Sequence, residues 1–243
     1  DPATFAPDWD ALAAAVTPRT RMLVTNTPHN PSGAMLGAGD IERLEALLRG
    51  TDIVLLSDEV YEHIVFDGRR HESVLRYPGL RERAFVVSSF GKTYHCTGWK
   101  VGYCIAPPAL SAELRKVHQY NTFCTFAPAQ HAFADMIDNE PAHYEELGAF
   151  YQAKRDRFAA QLRETRLQPL PVPGGYFQLV DYSAVSDLDD LAFCRWLTTE
   201  HGVAAIPLSP FYETPPAGQR LARLCFAKND ATLDAAIARL RTL

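Results

Sequence analysis

The chain is organised around a stretch that reads Ala84-Phe85-Val86-Val87-Ser88-Ser89-Phe90-Gly91-Lys92. Its apolar first half predicts a buried strand, and the small and polar residues after it predict a turn that carries one lysine. Open α/β sheets bind their ligands just beyond the carboxyl ends of their strands. Lys92 is therefore a candidate ligand-binding residue. The alternative is that it is a lysine in an ordinary solvated loop, which would show the same local pattern.

Segments with strand character recur along the first half of the chain, and helical patterns separate them. Strands are predicted at 21–27, 52–57, 84–89 and 101–106. Asp8 and Asp40 each precede a run with helical spacing of apolar residues, so both are expected to cap a helix. Strands that alternate with helices in this way indicate a doubly wound α/β sheet.

The second half of the chain has a different texture. After helices predicted at 109–122 and 128–138, one long amphipathic helix is expected from about 141 to 166. Short strands and helices then follow at 174–180, 187–201, 203–206, 220–227 and from 231 onward. This change predicts a larger α/β domain at 1–147 and a smaller α+β domain at 148–243.

Composition excludes several classes of protein. The 243 residues carry a net charge of −5 with both signs interspersed, which argues against a nucleic-acid or membrane-surface partner. No apolar run approaches the roughly 18 residues that a membrane span needs. The histidines show no metal-ligand spacing. Because the five cysteines are scattered and odd in number, we expect reduced thiols and a cytoplasmic location.

Six polar residues lie at or just after the ends of the predicted strands in the first half of the chain. They are Asn30, Asp58, Tyr61, Ser89, Lys92 and Lys100. One cofactor requires side chains of these kinds together. If the strands are parallel neighbours, these side chains gather along one edge of the sheet. A primary amine, a carboxylate, a phenol, an amide, a hydroxyl and a second cation are the groups that pyridoxal phosphate needs from a protein.

Each group has a chemical reason to be there. The lysine amine forms a Schiff base with the cofactor aldehyde. A carboxylate facing the pyridine nitrogen keeps that nitrogen protonated, so the ring can accept electrons. A phenol and an amide can hydrogen-bond the ring's phenolic oxygen, while a hydroxyl and a cation can bind the phosphate.

Four motifs carry a resemblance to a known family, and they occur in its order and spacing. They are Asn26-Thr27-Pro28-His29-Asn30-Pro31-Ser32-Gly33, Ser57-Asp58-Glu59-Val60-Tyr61, Ser89-Phe90-Gly91-Lys92 with Thr97-Gly98-Trp99-Lys100-Val101-Gly102, and Arg223-Leu224-Cys225-Phe226. On these motifs, essentially the whole chain resembles the class I/II aminotransferases of the fold-type-I pyridoxal-phosphate enzymes. Within that family it is most similar to the branch of bacterial methionine aminotransferases and of kynurenine and glutamine transaminases.

The resemblance implies a role for each matching residue. Lys92 matches the Schiff-base lysine, which also moves the proton between the substrate's α-carbon and the cofactor. Asp58 matches the partner of the pyridinium nitrogen. Arg223 matches the arginine that binds the substrate's α-carboxylate through two parallel hydrogen bonds.

The remaining matches surround the cofactor. Asn30 and Tyr61 match the pair at the phenolic oxygen, and Ser89 and Lys100 match the phosphate ligands.

Two departures weaken the phosphate site without removing it. Gly91 stands where the family often has a second serine, and position 100 holds lysine where many members have arginine.

The resemblance also implies an architecture. A large domain with a mostly parallel sheet sandwiched by helices is expected, followed by a smaller C-terminal α+β domain. Family chains are longer by roughly half, and this chain begins at Asp1 without methionine. We therefore expect it to lack upstream parts of the cofactor site and to fold poorly when isolated. The resemblance also implies a homodimer for the full-length protein.

The expected reaction is transamination between an L-amino acid and a 2-oxo acid, the donor having an unbranched thioether, amide or aromatic side chain. A β-lyase on the same scaffold would use the same cofactor residues. A third alternative is a non-catalytic piece: the cofactor-binding half of a fused transcription regulator, or a fragment with an incomplete site.

Overall fold

The computed structural model describes residues 4–243, which form two compact units. The first unit comprises Ala6–Pro28 and Met35–Gly148. The second comprises His29–Ala34 and Ala149–Leu243, together with the described residues at the amino terminus, Thr4 and Phe5. A short loop that interrupts the first unit in sequence therefore belongs, by its contacts, to the second. The domain boundary near residue 148 stays a prediction.

Helices and strands alternate through the first unit and mix less regularly in the second. The helices are α1 (Trp9–Ala15), α2 (Ala38–Leu48), α3 (Pro78–Arg81), α4 (Phe90–Thr93), α5 (Pro108–Asn121), α6 (Ala127–Asn139), α7 (Pro141–Glu145), α8 (Leu147–Leu162), α9 (Asp190–His201) and α10 (Asp230–Leu240). The strands are β1 (Met22–Asn26), β2 (Val54–Asp58), β3 (Ala84–Ser89), β4 (Gly102–Ile105), β5 (Gln168–Pro169), β6 (Phe177–Asp181), β7 (Ile206–Pro207) and β8 (Leu221–Cys225).

The sheet of the first unit has the strand order β1-β2-β3-β4. The first three strands are parallel, and β4 runs antiparallel to β3. At the carboxyl edge, Asn26 pairs with Asp58 and Asp58 pairs with Val87. The expected α/β fold with a mostly parallel sheet is confirmed, and the carboxyl ends of the parallel strands meet at one edge.

An apolar core fixes this sheet against its helices. Helix α2 buries Ile41, Leu44 and Leu48, which recur at helical spacing on one face. They pack in one cluster with Leu55 of β2 and Val86 of β3. The polar residues Asp58 and Ser89 end β2 and β3. They therefore lie past this core, at the edge of the sheet.

Two sequence predictions about helices need correction. Asp40 does not cap α2, because the helix already begins at Ala38. Its carboxylate instead accepts hydrogen bonds from the Gly37 backbone N–H at 2.9 Å and from the Trp9 indole at 3.0 Å. The carboxylate still serves the start of the helix, but from inside its first turn.

The long helix expected over 141–166 is divided. Helix α7 ends at Glu145, and α8 begins at Leu147. A Cβ on Gly148 would lie 3.0 Å from the Val65 carbonyl oxygen, so the start of α8 packs closely against the segment after β2. The break thus lies next to a close tertiary contact, and periodicity alone does not show it.

The second unit contains an antiparallel sheet with the order β5-β6-β8-β7. Its core includes Leu179 of β6 and Leu221 of β8, packed with Leu208. In the pairing of the central strands, Leu179 lies opposite Arg223. Across the part of the chain that the structure describes, no helix is both long enough and apolar enough to cross a membrane.

Gly102 is a position where the fold requires glycine. A Cβ there would lie 2.5 Å from the Ser88 carbonyl oxygen, because β4 approaches β3 at that point. We expect Gly102→Ala to lower the free energy of unfolding of the full-length protein by about 2 kcal/mol, measured by urea denaturation. Gly98→Ala is the matched control, since its Cβ would meet no atom within 4 Å. Equal unfolding midpoints for the two variants would contradict the prediction.

Candidate active site

Lys92 lies in a one-turn helix that directly follows β3. Ser89, the last residue of β3, caps this helix: its Oγ accepts a hydrogen bond from the Gly91 N–H at 3.2 Å. The same hydroxyl donates to the Val101 carbonyl at 3.3 Å. Strand end, cap and lysine thus form one connected unit, which places a partly buried Lys92 at the carboxyl edge of the sheet.

Close packing explains the glycine before the lysine. A Cβ on Gly91 would lie 2.9 Å from Thr97 Cα and 3.2 Å from the Cys96 carbonyl oxygen. No serine fits this position unless the following loop moves. That loop leads to Lys100, which has left-handed backbone angles (φ 56°, ψ 39°) and an exposed side chain.

Asp58 ends β2, next to the end of β1. Its backbone carbonyl accepts hydrogen bonds from the Thr27 N–H at 3.0 Å and from Asn26 Nδ2 at 3.1 Å. Its carboxylate accepts one from the Val60 N–H at 3.1 Å. These contacts fix both ends of the residue, so the carboxylate has a defined direction at the sheet edge.

The electrostatic state of Asp58 is unusual for a carboxylate. Partial burial raises its pKa above the ordinary value, and the neighbouring Glu59 charge adds to the increase. The hydrogen bond from Val60 and the positive charge of Lys92 act in the opposite direction. Such a group is best stabilised by a cation that approaches it directly.

The pKa of Glu59, the next residue, is shifted in the opposite direction. Burial alone would raise its pKa, but hydrogen bonds and the charge of His71 lower it overall. Its carboxylate accepts from Ser57 Oγ at 2.9 Å and from the Val74 N–H at 3.1 Å, and it pairs with His71 Nε2 at 2.8 Å. Glu59 is therefore a fully partnered structural carboxylate beneath Asp58.

Tyr61 follows Asp58 by three residues in the turn after β2, and its side chain is buried. Nearby, the Tyr103 hydroxyl of β4 donates a 2.5 Å hydrogen bond to Glu62. Burial raises the pKa of Tyr103, and the bond to Glu62 adds to the increase. The predicted site residues of the first unit all lie at the ends of β2 and β3 or on the segments that follow them: Asp58, Tyr61, Ser89, Lys92 and Lys100.

Asn30 belongs to the second unit, in the loop His29–Ala34. The loop closes on itself through hydrogen bonds from the His29 N–H to the Ala34 carbonyl (2.8 Å) and from the Gly33 N–H to the His29 carbonyl (2.7 Å). Gly33 has φ 74°, and a Cβ there would lie 2.8 Å from the Gly174 carbonyl oxygen. Only glycine suits this position, and it holds the loop against the second unit.

Arg223 of β8 lies beside Asn30 within the second unit. Its Nη1 donates a 2.6 Å hydrogen bond to Asn30 Oδ1. The guanidinium also lies over the Phe177 ring at 4.1 Å and near the Phe211 ring at 5.7 Å. Stacking and hydrogen bonding together fix the plane of the guanidinium, which is the property needed for two-point binding of a carboxylate.

Sequence reasoning missed the residues that support this site. Asn26 stands in a motif, yet nothing local indicates that it holds the Asp58 carbonyl. Phe177 reads as an ordinary strand residue, and His71 reads as a loop residue. Their roles depend on contacts between distant segments, so strand pairing is the signal that could have found Asn26.

Comparison with known proteins gives a consistent result. A family model described as aminotransferase class I and II matches residues 1–240. Methionine aminotransferase of Escherichia coli is 57% identical over 242 residues, covering 100% of this chain and 62% of that protein. Kynurenine–oxoglutarate transaminase 1 of Mus musculus is 35% identical over 257 residues, covering 96% and 61%.

A solved structure agrees with the sequence relatives. The crystal structure of Escherichia coli YbdL, described as having a methionine aminotransferase function, superposes with a TM-score of 0.97. It is 57% identical and covers 100% of this chain and 63% of its own. The chain thus spans less than two thirds of the length of each of these relatives.

The raised pKa of Asp58 leads to a stability prediction. Because the folded-state pKa lies above the ordinary 3.8, the ionised carboxylate opposes folding at neutral pH. We expect Asp58→Asn to stabilise the cofactor-free full-length protein at pH 7 by about 0.5 kcal/mol, after allowing for solvent screening. The gain should shrink as the pH falls towards 3.8.

Urea denaturation at several pH values measures this effect. Asp52→Asn, at an exposed carboxylate shortly before β2, is the matched control and should leave the unfolding midpoint unchanged. A destabilised Asp58→Asn protein at neutral pH would contradict the prediction.

Proposed function

The chain belongs to the aminotransferase class I and II family, and we propose that its full-length protein transfers an amino group between an L-amino acid and a 2-oxo acid. Enzymes of this family depend on pyridoxal phosphate. The proposal rests above all on one observation: Asp58 ends β2 and Lys92 lies in the turn directly after β3, so both stand at the carboxyl edge of adjacent parallel strands. Transamination needs a carboxylate and a lysine at such an edge.

The chemistry of these residues fits pyridoxal phosphate. A partly buried carboxylate with a raised pKa suits the protonated pyridine nitrogen, which would supply the missing positive charge. Ser89 and Lys100 would bind the phosphate, and Tyr61 would hydrogen-bond the phenolic oxygen. When bound, the cofactor supplies an aldehyde and an electron-accepting ring.

Lys92 has two tasks in this proposal. Its Nζ would hold the cofactor, whose aldehyde forms a Schiff base with a primary amine. The same amine would accept a proton from the substrate's α-carbon as a general base and would then deliver it to the cofactor as a general acid. Asp58 would stay ionised, so that the pyridine nitrogen beside it stays protonated.

Arg223 and Asn30 of the second unit have tasks that follow from their bond. Arg223 would bind the α-carboxylate of the amino acid through its planar guanidinium. Asn30 accepts from Arg223 through Oδ1, and its amide nitrogen is a donor of the kind that would suit the phenolic oxygen of the cofactor. Phe177 limits rotation of the guanidinium from one side.

The amino donor in this proposal has an unbranched thioether, amide or aromatic side chain. The names of two relatives support this class: one is a methionine aminotransferase and the other a kynurenine–oxoglutarate transaminase. A thioether and an aromatic ring are both polarisable apolar groups, which one apolar pocket can accept.

We also propose that the protein is a homodimer in the cytoplasm. An apolar surface on the first unit supports the dimer, because α5 buries none of its side chains. Its exposed large apolar residues are Leu114, Val117 and Tyr120, and the exposed Phe123 and Phe126 follow the helix in sequence. A contiguous patch of this kind is typical of an interface. The unpaired thiols of the five cysteines suit a reducing compartment.

Substitution of the lysine tests the reaction itself. We expect Lys92→Ala in the full-length protein to lower the rate of oxo-acid formation from methionine by roughly a thousand-fold or more, because both the covalent link and the proton carrier are lost. Lys228→Ala, at an exposed lysine shortly after β8, should keep normal activity. Release of free ammonia without transfer to a 2-oxo acid would contradict transamination and favour a β-lyase.

Arg223 gives a separate test of substrate binding. Arg223→Lys retains the positive charge but loses the second parallel hydrogen bond, so KM for the amino acid should rise roughly ten- to a hundred-fold. Steady-state kinetics should show a much smaller change in kcat. Arg163→Lys, an exposed arginine just after α8, is the control. An unchanged KM would remove Arg223 from the carboxylate site.

A further inference from the structure

The peptide carbonyls on both sides of Lys92 are held by side chains from outside its turn. Thr97 Oγ1 donates to the Gly91 carbonyl at 3.2 Å. His143 Nε2 lies 2.8 Å from the Thr93 carbonyl, although it comes from α7, 50 residues further along the chain. A helix of one turn leaves its last carbonyls without partners of its own, so these donors complete it.

The acceptor determines that Nε2 of His143 carries a hydrogen. A carbonyl oxygen only accepts hydrogen bonds, so Nε2 carries the hydrogen and donates it. Ring contacts fix the orientation of the imidazole: it stacks on Tyr94 at 5.1 Å with an interplanar angle of 11°, and it meets His95 edge-on at 5.4 Å. The donor is therefore held in direction as well as in distance.

Thr97 is fixed with comparable rigidity. Its backbone packs so closely on Gly91 that a Cβ at position 91 would lie 2.9 Å from Thr97 Cα. The short 3₁₀ helix Thr97–Trp99 begins at this residue and leads directly to Lys100. The hydrogen bond from Thr97 thus ties the lysine turn to the segment that carries the second cation.

We propose that Thr97 and His143 are positioning residues that fix the lysine turn from both sides, so that Nζ of Lys92 meets the cofactor aldehyde in a reactive geometry. This inference rests on the proposed function. Lysine has a long and flexible side chain, so the backbone at its base must be held for its amine to be aimed. Displacement of a reacting group by about 1 Å can slow a reaction by roughly a hundred-fold.

The experiment measures covalent attachment rather than turnover. Full-length protein is freed of cofactor, pyridoxal phosphate is added, and the change in absorbance gives the attachment rate. Borohydride reduction and mass spectrometry of the peptide then verify that Lys92 is the modified residue. The variants are Thr97→Val, Thr97→Ser, His143→Ala and His143→Gln, with His131→Ala as a control at an exposed histidine of α6.

We expect Thr97→Val and His143→Ala to attach the cofactor roughly ten-fold more slowly than the unchanged protein. Thr97→Ser retains the hydroxyl, and His143→Gln places an amide donor near the position of Nε2, so both should stay within about two-fold. His131→Ala should match the unchanged protein. In turnover, the two slow variants should lose kcat with little change in KM for the amino acid.

Attachment rates that are equal in all variants would overturn the inference, as would slow rates that the conservative variants do not rescue. If His143→Ala fails to fold by circular dichroism, the comparison of Thr97→Val with Thr97→Ser decides the outcome, because valine keeps the shape of threonine. The proposed function fails separately, and the inference with it, if the unchanged protein yields no borohydride-trapped adduct at Lys92.

Discussion

The site of the first unit depends on the cost of holding the Asp58 charge away from bulk water. Burial raises the pKa of this carboxylate, and the structure around it resists its withdrawal into solvent. Asn26 and the Thr27 N–H hold its backbone carbonyl, and the Val60 N–H holds its side chain. A charge maintained in this way favours any cation that can reach it, and in the proposed function that cation is the protonated ring nitrogen of the cofactor.

Asp58 and Glu59 show how neighbouring carboxylates acquire different tasks. Glu59 has donors for both oxygens and its pKa is lowered, so its charge is neutralised within the fold. Asp58 has fewer donors and its pKa is raised. Because side chains alternate along a strand, the first carboxylate points to one side of the sheet end and the second to the other. The pair thus sets a carboxylate whose charge is stabilised within the fold beside one that still favours a cation.

Sequence patterns predicted the parts of this fold that depend on local forces. The strand Ala84–Ser89 agrees in both bounds with the structure, because an apolar run closed by serines has one favourable arrangement in a buried sheet. The long helix expected over 141–166 was wrong in its continuity: it is divided beside Gly148, which packs closely against the distant Val65 carbonyl, a contact that periodicity does not indicate. The loop His29–Ala34 likewise joins the second unit through contacts of Gly33 that no periodicity indicates. The individual roles of the site residues stay predictions.

Gly91 shows how one packing contact can reshape a binding site. The family pattern allows a second serine there, and its absence suggests a weaker phosphate site when the sequence is considered alone. In the structure, the space that a serine side chain would need is occupied by Thr97. Thr97 lies close enough to donate a hydrogen bond to the Gly91 carbonyl. Glycine at position 91 thus omits one phosphate ligand of the family pattern and allows a contact that holds the lysine turn. Phosphate binding would then depend more on Ser89 and Lys100, while Lys92 gains a rigid base from the same contact.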